Sequence, residues 1–117
     1  MKRVAVVAMA VVVGGCALTP AEIVQQGRKI DLTSLLAPRA NAECIARNAE
    51  NFAANVTATV RADDKGTIIE TIVRAGDSGV LALSRSIGNG LGSNVAIWIS
   101  PNVITPERFL NALSKGC

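Results

Sequence analysis

The chain has 117 residues, which is enough for one small domain and no more. Its formal net charge of +3 includes Lys2 and Arg3, and without them ten Lys and Arg stand against nine Asp and Glu, so the strong basic patch typical of nucleic-acid-binding proteins is excluded. Half of the residues are hydrophobic, and most of these are small aliphatic ones, a composition that excludes an intrinsically disordered chain.

Residues 1–15 have the layout of a secretory leader. Lys2 and Arg3 form a basic region, residues 4–13 are an unbroken apolar run, and two glycines then lead into Cys16. This order is typical of a signal peptide, and the run is shorter than the about 20 apolar residues that a membrane-spanning helix needs. The segment resembles a bacterial lipoprotein signal peptide, with Val13-Gly14-Gly15-Cys16 in the place of the lipobox.

The resemblance implies that residues 1–15 are removed and that Cys16 becomes the first residue of the mature chain. Acyl chains such as palmitate would then be attached to its sulfur and to its new amine. Each buried methylene contributes about 0.8 kcal/mol, so two or three acyl chains anchor a protein permanently. Ala17 follows the cysteine, and in lipoproteins of this type that neighbour implies export to the outer membrane, facing the periplasm or the cell surface.

Residues 16–38 are predicted to form the lipid anchor and a tether, and residues 39–117 a small domain. Thr19-Pro20-Ala21-Glu22 has the signal of a helix start, with a hydroxyl for capping and Pro at the first helical position. The tether is too apolar for a freely solvated linker because it contains Ile23, Val24, Ile30, Leu32, Leu35 and Leu36. We therefore expect part of it to pack on the domain.

Two helices are predicted, one at each end of the domain. Over residues 39–54 apolar side chains recur at helical spacing and form one stripe. Thr105-Pro106-Glu107 predicts the start of the second helix by the same capping signal.

Four strands are predicted between these helices. Residues 56–61 alternate in polarity, and a turn at residues 63–66 leads to a partner strand rich in β-branched residues at 67–74. Residues 80–87 favour a third strand, with a short helix as the alternative, and residues 94–99 alternate again. The order predicts an α+β fold, an antiparallel meander of three or four strands with both helices on one face.

Cys44 and Cys117 remain once Cys16 is assigned to lipid, and an even pair is expected to form a disulfide in an oxidising compartment. The chain-entropy model gives such a long closed loop about 4 kcal/mol of stabilisation. The alternative is two unpaired, buried cysteines. No metal or cofactor is predicted, because the chain has no histidine and no C-x-x-C pair.

The sequence offers few groups for catalysis near neutral pH. Asp63 and Asp64 are adjacent, but they fall in a predicted turn where carboxylates are usually solvated. Glu70 lies among apolar residues, where burial could raise its pKa, although we expect it to point outward from the sheet. We therefore predict no catalytic residue, no enzymatic activity and no small-molecule substrate.

Trp98 is the candidate contact for a protein partner. Its strand places it on the face opposite Val95, Ile97 and Ile99, and exposed tryptophans are frequent binding anchors. The alternative is that Trp98 packs beneath the apolar residues of the tether, which are Leu32, Leu35 and Leu36.

The predicted function is that of a membrane-anchored envelope lipoprotein, a non-catalytic module that binds an envelope protein or has a structural role. Residues 40–117 resemble small proteobacterial lipoproteins with a helix–strands–helix layout and a cysteine near each end of the domain, and this resemblance implies no activity. The alternative is a phage- or prophage-type exclusion or inhibitor lipoprotein that blocks a receptor or an enzyme.

Overall fold

A five-stranded antiparallel sheet is the centre of this computed structural model, which describes residues 18–76 and 79–117. The predicted leader and Cys16 lie outside these residues. The elements in chain order are α1 (Pro20–Gln26), β1 (Arg28–Ser34), α2 (Pro38–Phe52), β2 (Val56–Ala62), β3 (Ile68–Ala75), β4 (Val80–Gly88), β5 (Ser93–Ile99) and α3 (Pro106–Ser114).

The strand order is β1-β5-β4-β3-β2, so the four predicted strands form a meander and β1 is added at its edge. Arg28 of β1 pairs with Ile99, and Ser34 pairs with Ser93 at the other end of β5. The α+β prediction is confirmed, and residues 80–87 form a strand rather than a helix. In the part of the chain that the structure describes, the sheet has five strands instead of the three or four predicted.

The fifth strand comes from the segment that was predicted to be a tether. Ile30 and Leu32 of β1 are half-buried and alternate with exposed Lys29 and Asp31, as expected for an edge strand with one face on a core. α1 also packs on the sheet, since Ile23 is fully buried. The folded domain therefore begins near residue 18, not at residue 39.

The two predicted helices, α2 and α3, cover one face of the sheet. Between them and the strands lies the larger apolar core, formed by Ile45, Ala49, Val56, Val73, Ala82, Val95, Ile97, Ile99, Phe109 and Leu113. Cys44 of α2 and Cys117 form the predicted disulfide, with an S–S distance of 2.07 Å and a Cα–Cα distance of 5.7 Å. The bridge joins α2 to the segment that follows α3.

On the opposite face, which we call the outer face, α1 is the only covering element among residues 18–76 and 79–117. The helix begins with the predicted capping box, because Thr19 Oγ1 accepts the Glu22 N–H and Glu22 Oε1 accepts the Thr19 N–H. A second apolar cluster joins it to the sheet and contains Ile23, Ile72, Val80, Leu83 and Trp98.

The two ends of the sheet differ. At the Leu18 end, β4 begins and β5 ends, and the Val80 N–H donates to the Leu18 carbonyl oxygen. At the Leu91 end lie the β4–β5 turn at residues 89–92 and the β2–β3 turn at residues 63–67. A seven-residue strand is about 23 Å long, so this length separates the two ends.

Candidate functional site

α1 leaves a large part of the outer face uncovered. It has seven residues, so at 1.5 Å per residue it is only about 10 Å long. Beyond it the strands form an open groove of about 810 Å³, which we call the outer groove. Its lining residues are Asp31, Leu32, Thr33, Ile68, Arg85, Ile87, Asn94, Val95, Ala96 and Trp98.

The antiparallel register explains why these side chains meet. Glu70 pairs with Arg85 across β3 and β4, and Arg85 pairs with Ala96 of β5. Two residues further toward the Leu91 end, Ile68 pairs with Ile87 in the same way. Because residues two apart share a face, both rows lie on the outer face beside Trp98.

Trp98 lies where α1 meets the outer groove. Only 8% of the residue is exposed, and it shares the second apolar cluster with Ile23 of α1. The segment predicted as a tether does contribute its cover, but through Ile23, since Leu32 packs against the larger core on the other face and Leu35 is exposed. Trp98 therefore combines a packed ring with an edge on the groove.

Two cations flank the Trp98 ring. Lys29 Nζ lies 5.6 Å from the ring centroid and Arg85 Cζ lies 5.2 Å from it. Both distances are within the range at which a cation is attracted to an aromatic face, an interaction of about 0.5–1 kcal/mol at exposed sites. The Trp98 ring thus lies beside two cations that are each paired with a carboxylate, Lys29 with Asp31 at 3.8 Å and Arg85 with Glu70 at 3.0 Å.

Glu70 binds two arginines of the outer face, Arg61 and Arg85. Its Oε1 accepts a 2.8 Å hydrogen bond from Arg61 Nε, and its Oε2 accepts a 3.0 Å bond from Arg85 Nε. The side chain of Glu70 is only 12% exposed. The carboxylate is therefore turned away from the helices, as predicted, but it is paired with two guanidinium groups rather than solvated.

The remaining groove residues add apolar surface with some hydrogen-bonding capacity. Ile87 is 45% exposed and Ile68 lies beside it on β3. Asn94 and Thr33 pair across β5 and β1 and supply polar groups at the same level. This arrangement can contact an apolar side chain and can form hydrogen bonds with polar groups beside it.

Asp63 and Asp64 lie in the β2–β3 turn, where the carboxylate of Asp63 accepts hydrogen bonds from the backbone. Asp63 Oδ1 accepts the Thr67 N–H at 2.8 Å and the Ile68 N–H at 3.1 Å. Hydrogen bonds from Ile68 and then from Thr67 lower the pKa of the exposed Asp63 below its usual value of 3.8. Asp63 thus stabilises the β2–β3 turn as a charged acceptor.

The predicted site residues do not gather at one place. Cys44 and Cys117 lie on the helical side of the sheet and Trp98 on the outer face, while Cys16 is outside the described residues. Within residues 18–76 and 79–117, no group of three His, Cys, Asp or Glu side chains could hold a metal ion. No helix in this same part of the chain is long and apolar enough to cross a membrane.

Sequence reasoning missed that Lys29 and Arg85 flank the tryptophan and that Glu70 holds Arg85 in place. The alternation of its strand predicts on which face of the sheet Arg85 lies, but it does not predict which residues of other strands lie beside it. Comparison with known proteins finds no matching family model, no matching curated protein and no matching solved structure. The case for a function therefore rests on the chemistry of the groove and on the leader.

Proposed function

We propose that this chain is a lipid-anchored protein of the bacterial envelope whose domain is a non-catalytic module that binds a protein partner in the outer groove. The anchor is supported by the leader and by Val13-Gly14-Gly15-Cys16. The binding function is supported by one observation above others, the part of the outer face that α1 leaves uncovered beside Trp98.

The residues of the groove favour a partner over bulk solvent. A sheet face that only meets water is usually lined by polar side chains, whereas here Ile68, Ile87 and Ala96 lie in the uncovered part. Contiguous apolar surface with a polar rim is typical of protein interaction sites. Lys29 is paired with Asp31 and Arg85 with Glu70, so the groove favours a partner segment that inserts an apolar side chain rather than a charged one.

The setting of the acidic side chains also favours binding over catalysis. A general acid or base must be free to exchange a proton with a substrate. Glu70 is held by Arg61 and Arg85, and Asp63 is held by backbone N–H groups. Each of these carboxylates contributes to the fold through the contacts it already makes.

The groove is tested by comparing the wild type with Ile87→Glu and Leu91→Glu. Both substitutions place a carboxylate on an exposed aliphatic position, but Leu91 lies in the β4–β5 turn outside the groove. Proteins crosslinked to each variant in intact cells are identified by mass spectrometry, and thermal unfolding is measured in parallel. We expect the wild type and Leu91→Glu to retain a common partner that Ile87→Glu loses at unchanged thermal stability.

If Ile87→Glu retains that partner at wild-type levels, the groove is not the binding site. The identity of the partner also separates the two functional classes. A resident envelope complex supports the envelope module, whereas a single surface receptor or a foreign enzyme supports an exclusion or inhibitor lipoprotein.

The anchor is tested by the intact mass of protein extracted from membranes. We expect the mass of residues 16–117 plus two or three acyl chains, with thiols that react only after reduction. A mass without acyl chains would remove the lipoprotein proposal.

A further inference from the structure

Very little chain separates the folded domain from the proposed lipid anchor. Leu18 is the first described residue and is already part of the fold. Consecutive Cα atoms are 3.8 Å apart, so the Cα atom of Cys16 lies within about 7.6 Å of that of Leu18. A lipid attached to Cys16 would therefore hold the domain directly at the bilayer surface.

Leu18 is held on the domain both by burial and by a backbone hydrogen bond. Leu18 is buried, with only 8% of the residue exposed. Its carbonyl oxygen accepts a 3.0 Å hydrogen bond from the Val80 N–H. The capping box of Thr19 and Glu22 follows at once, so the chain enters α1 without a flexible spacer.

An exposed apolar residue lies at the same end of the sheet. The Ser100 N–H donates to the Leu81 carbonyl oxygen, next to the Val80 N–H that bonds Leu18, and the Val103 N–H then donates to the Ser100 carbonyl oxygen. This turn carries Ile104, which is 94% exposed. An aliphatic side chain in that position loses contact with water if it enters a lipid interface. Leu35 and Leu91 are exposed to a similar degree at the Leu91 end, so the position near Cys16, and not exposure alone, selects Ile104 for the lipid.

The charges of the described residues agree with this orientation. At the Leu18 end, Glu22 is engaged in the capping box and Glu107 pairs with Arg28. At the Leu91 end, Asp63, Asp64 and Lys65 are all exposed in the β2–β3 turn, and these three side chains carry a net charge of −1. An anionic bilayer surface repels exposed carboxylates, so the Leu91 end is the less favourable one to face it.

We propose that the Leu18 end of the domain rests on the lipid bilayer, with Ile104 inserted at the headgroup level and the strands directed away from the membrane. This inference rests on the proposed lipidation of Cys16. It leaves the outer groove at the side of the domain, where a partner can reach it, and it places the Leu91 end about 23 Å from the lipid.

The test compares three lipidated full-length proteins, the wild type, Ile104→Trp and Leu91→Trp, reconstituted in phosphatidylethanolamine–phosphatidylglycerol vesicles with or without brominated acyl chains. Both substitutions are at exposed positions, and the wild type gives the contribution of Trp98 alone. Flotation of the vesicles and intact mass establish the anchor independently. We expect at least a twofold greater loss of the added fluorescence for Ile104→Trp than for Leu91→Trp.

Equal quenching at positions 104 and 91, or stronger quenching at position 91, would overturn the orientation while leaving the anchor intact if the proteins float with the vesicles. Protein that carries no acyl chains and does not float would overturn the anchor and this inference together. Ile104→Asp is a further variant at the same exposed site, and it should keep the thermal stability of the wild type. Limited proteolysis of this variant should be faster than that of the wild type on vesicles, but not in detergent.

Discussion

The hydroxyl of Ser86 donates a 2.6 Å hydrogen bond to Asn41 Oδ1, and both side chains are buried between β4 and α2. Ser84 lies two residues earlier on the same face and is equally buried, yet its Oγ has no hydrogen-bond partner among the residues the structure describes. The two serines therefore differ in one physical respect, whether the buried hydroxyl is satisfied.

This difference predicts opposite effects of the same substitution. Ser86→Ala leaves Asn41 Oδ1 without its donor and should lower the free energy of unfolding by about 1–3 kcal/mol. Ser84→Ala removes an unsatisfied group and should leave the free energy of unfolding unchanged or raise it. Urea denaturation of the two variants measures both values. A loss at Ser84 as large as that at Ser86 would mean that its hydroxyl has a buried partner.

Trp98 should contribute to stability as well as to the groove. Because it shares an apolar cluster with Ile23 and is largely buried, Trp98→Ala should lower the free energy of unfolding by about 3–5 kcal/mol. Leu35→Ala, which removes an exposed side chain, is the control and should have little effect. Chemical denaturation monitored by circular dichroism compares them. An unfolding free energy near that of the wild type for Trp98→Ala would contradict the packing of α1 on this ring.

Reduction of the disulfide should destabilise the domain without rearranging it. Cys44 and Cys117 are 73 residues apart in sequence, and closing a loop of that length contributes about 4 kcal/mol in the chain-entropy model. The guanidinium chloride midpoint measured with and without a reductant gives the effect. The double variant Cys44→Ala and Cys117→Ala should match the reduced wild type and should not respond to the reductant.

The β2–β3 turn should give the domain a measurable acid sensitivity. Hydrogen bonds lower the folded-state pKa of Asp63 below 3.8, so its stabilising effect is present above that value and is lost as the pH falls through the lower folded-state pKa. Asp63→Asn should therefore melt below the wild type at about pH 6, and the difference should shrink toward about pH 2. Melting curves across this range measure it. Asp64→Asn makes the same charge change in the same turn without removing the hydrogen bonds to Asp63, so it is the matched control.

The sequence allowed the meander to be predicted because each of its strands carries its own signal. Alternation in β2 and β5 and the β-branched residues of β3 act locally, and a turn lies between each pair of neighbours. β1 has the same alternation, but only Ile30 and Leu32 face the core, and its partner β5 lies far along the chain. No local signal reports a pairing at that separation, so the strand was interpreted as part of a tether.

The candidate site could be predicted in part for the same reason. Alternation placed Trp98 on the face opposite Ile97 and Ile99, which is its observed face. The groove around it depends on which residues the register brings beside it. Arg85 and Lys29 reach Trp98 from β4 and β1, and their positions follow from strand pairing rather than from local sequence.

The pairing of β1 with β5 also affects the order in which the domain can form. A chain is synthesised from its N-terminus, so Arg28 emerges early but its partner Ile99 is made near the end. Non-local pairing is slow because the loop must close before contacts repay its entropy. Until then Ile30 and Leu32 have no core to cover and stay exposed on the growing chain. β1 can therefore join the sheet only after β5 has been made, so the N-terminal edge of the domain is among the last parts to form.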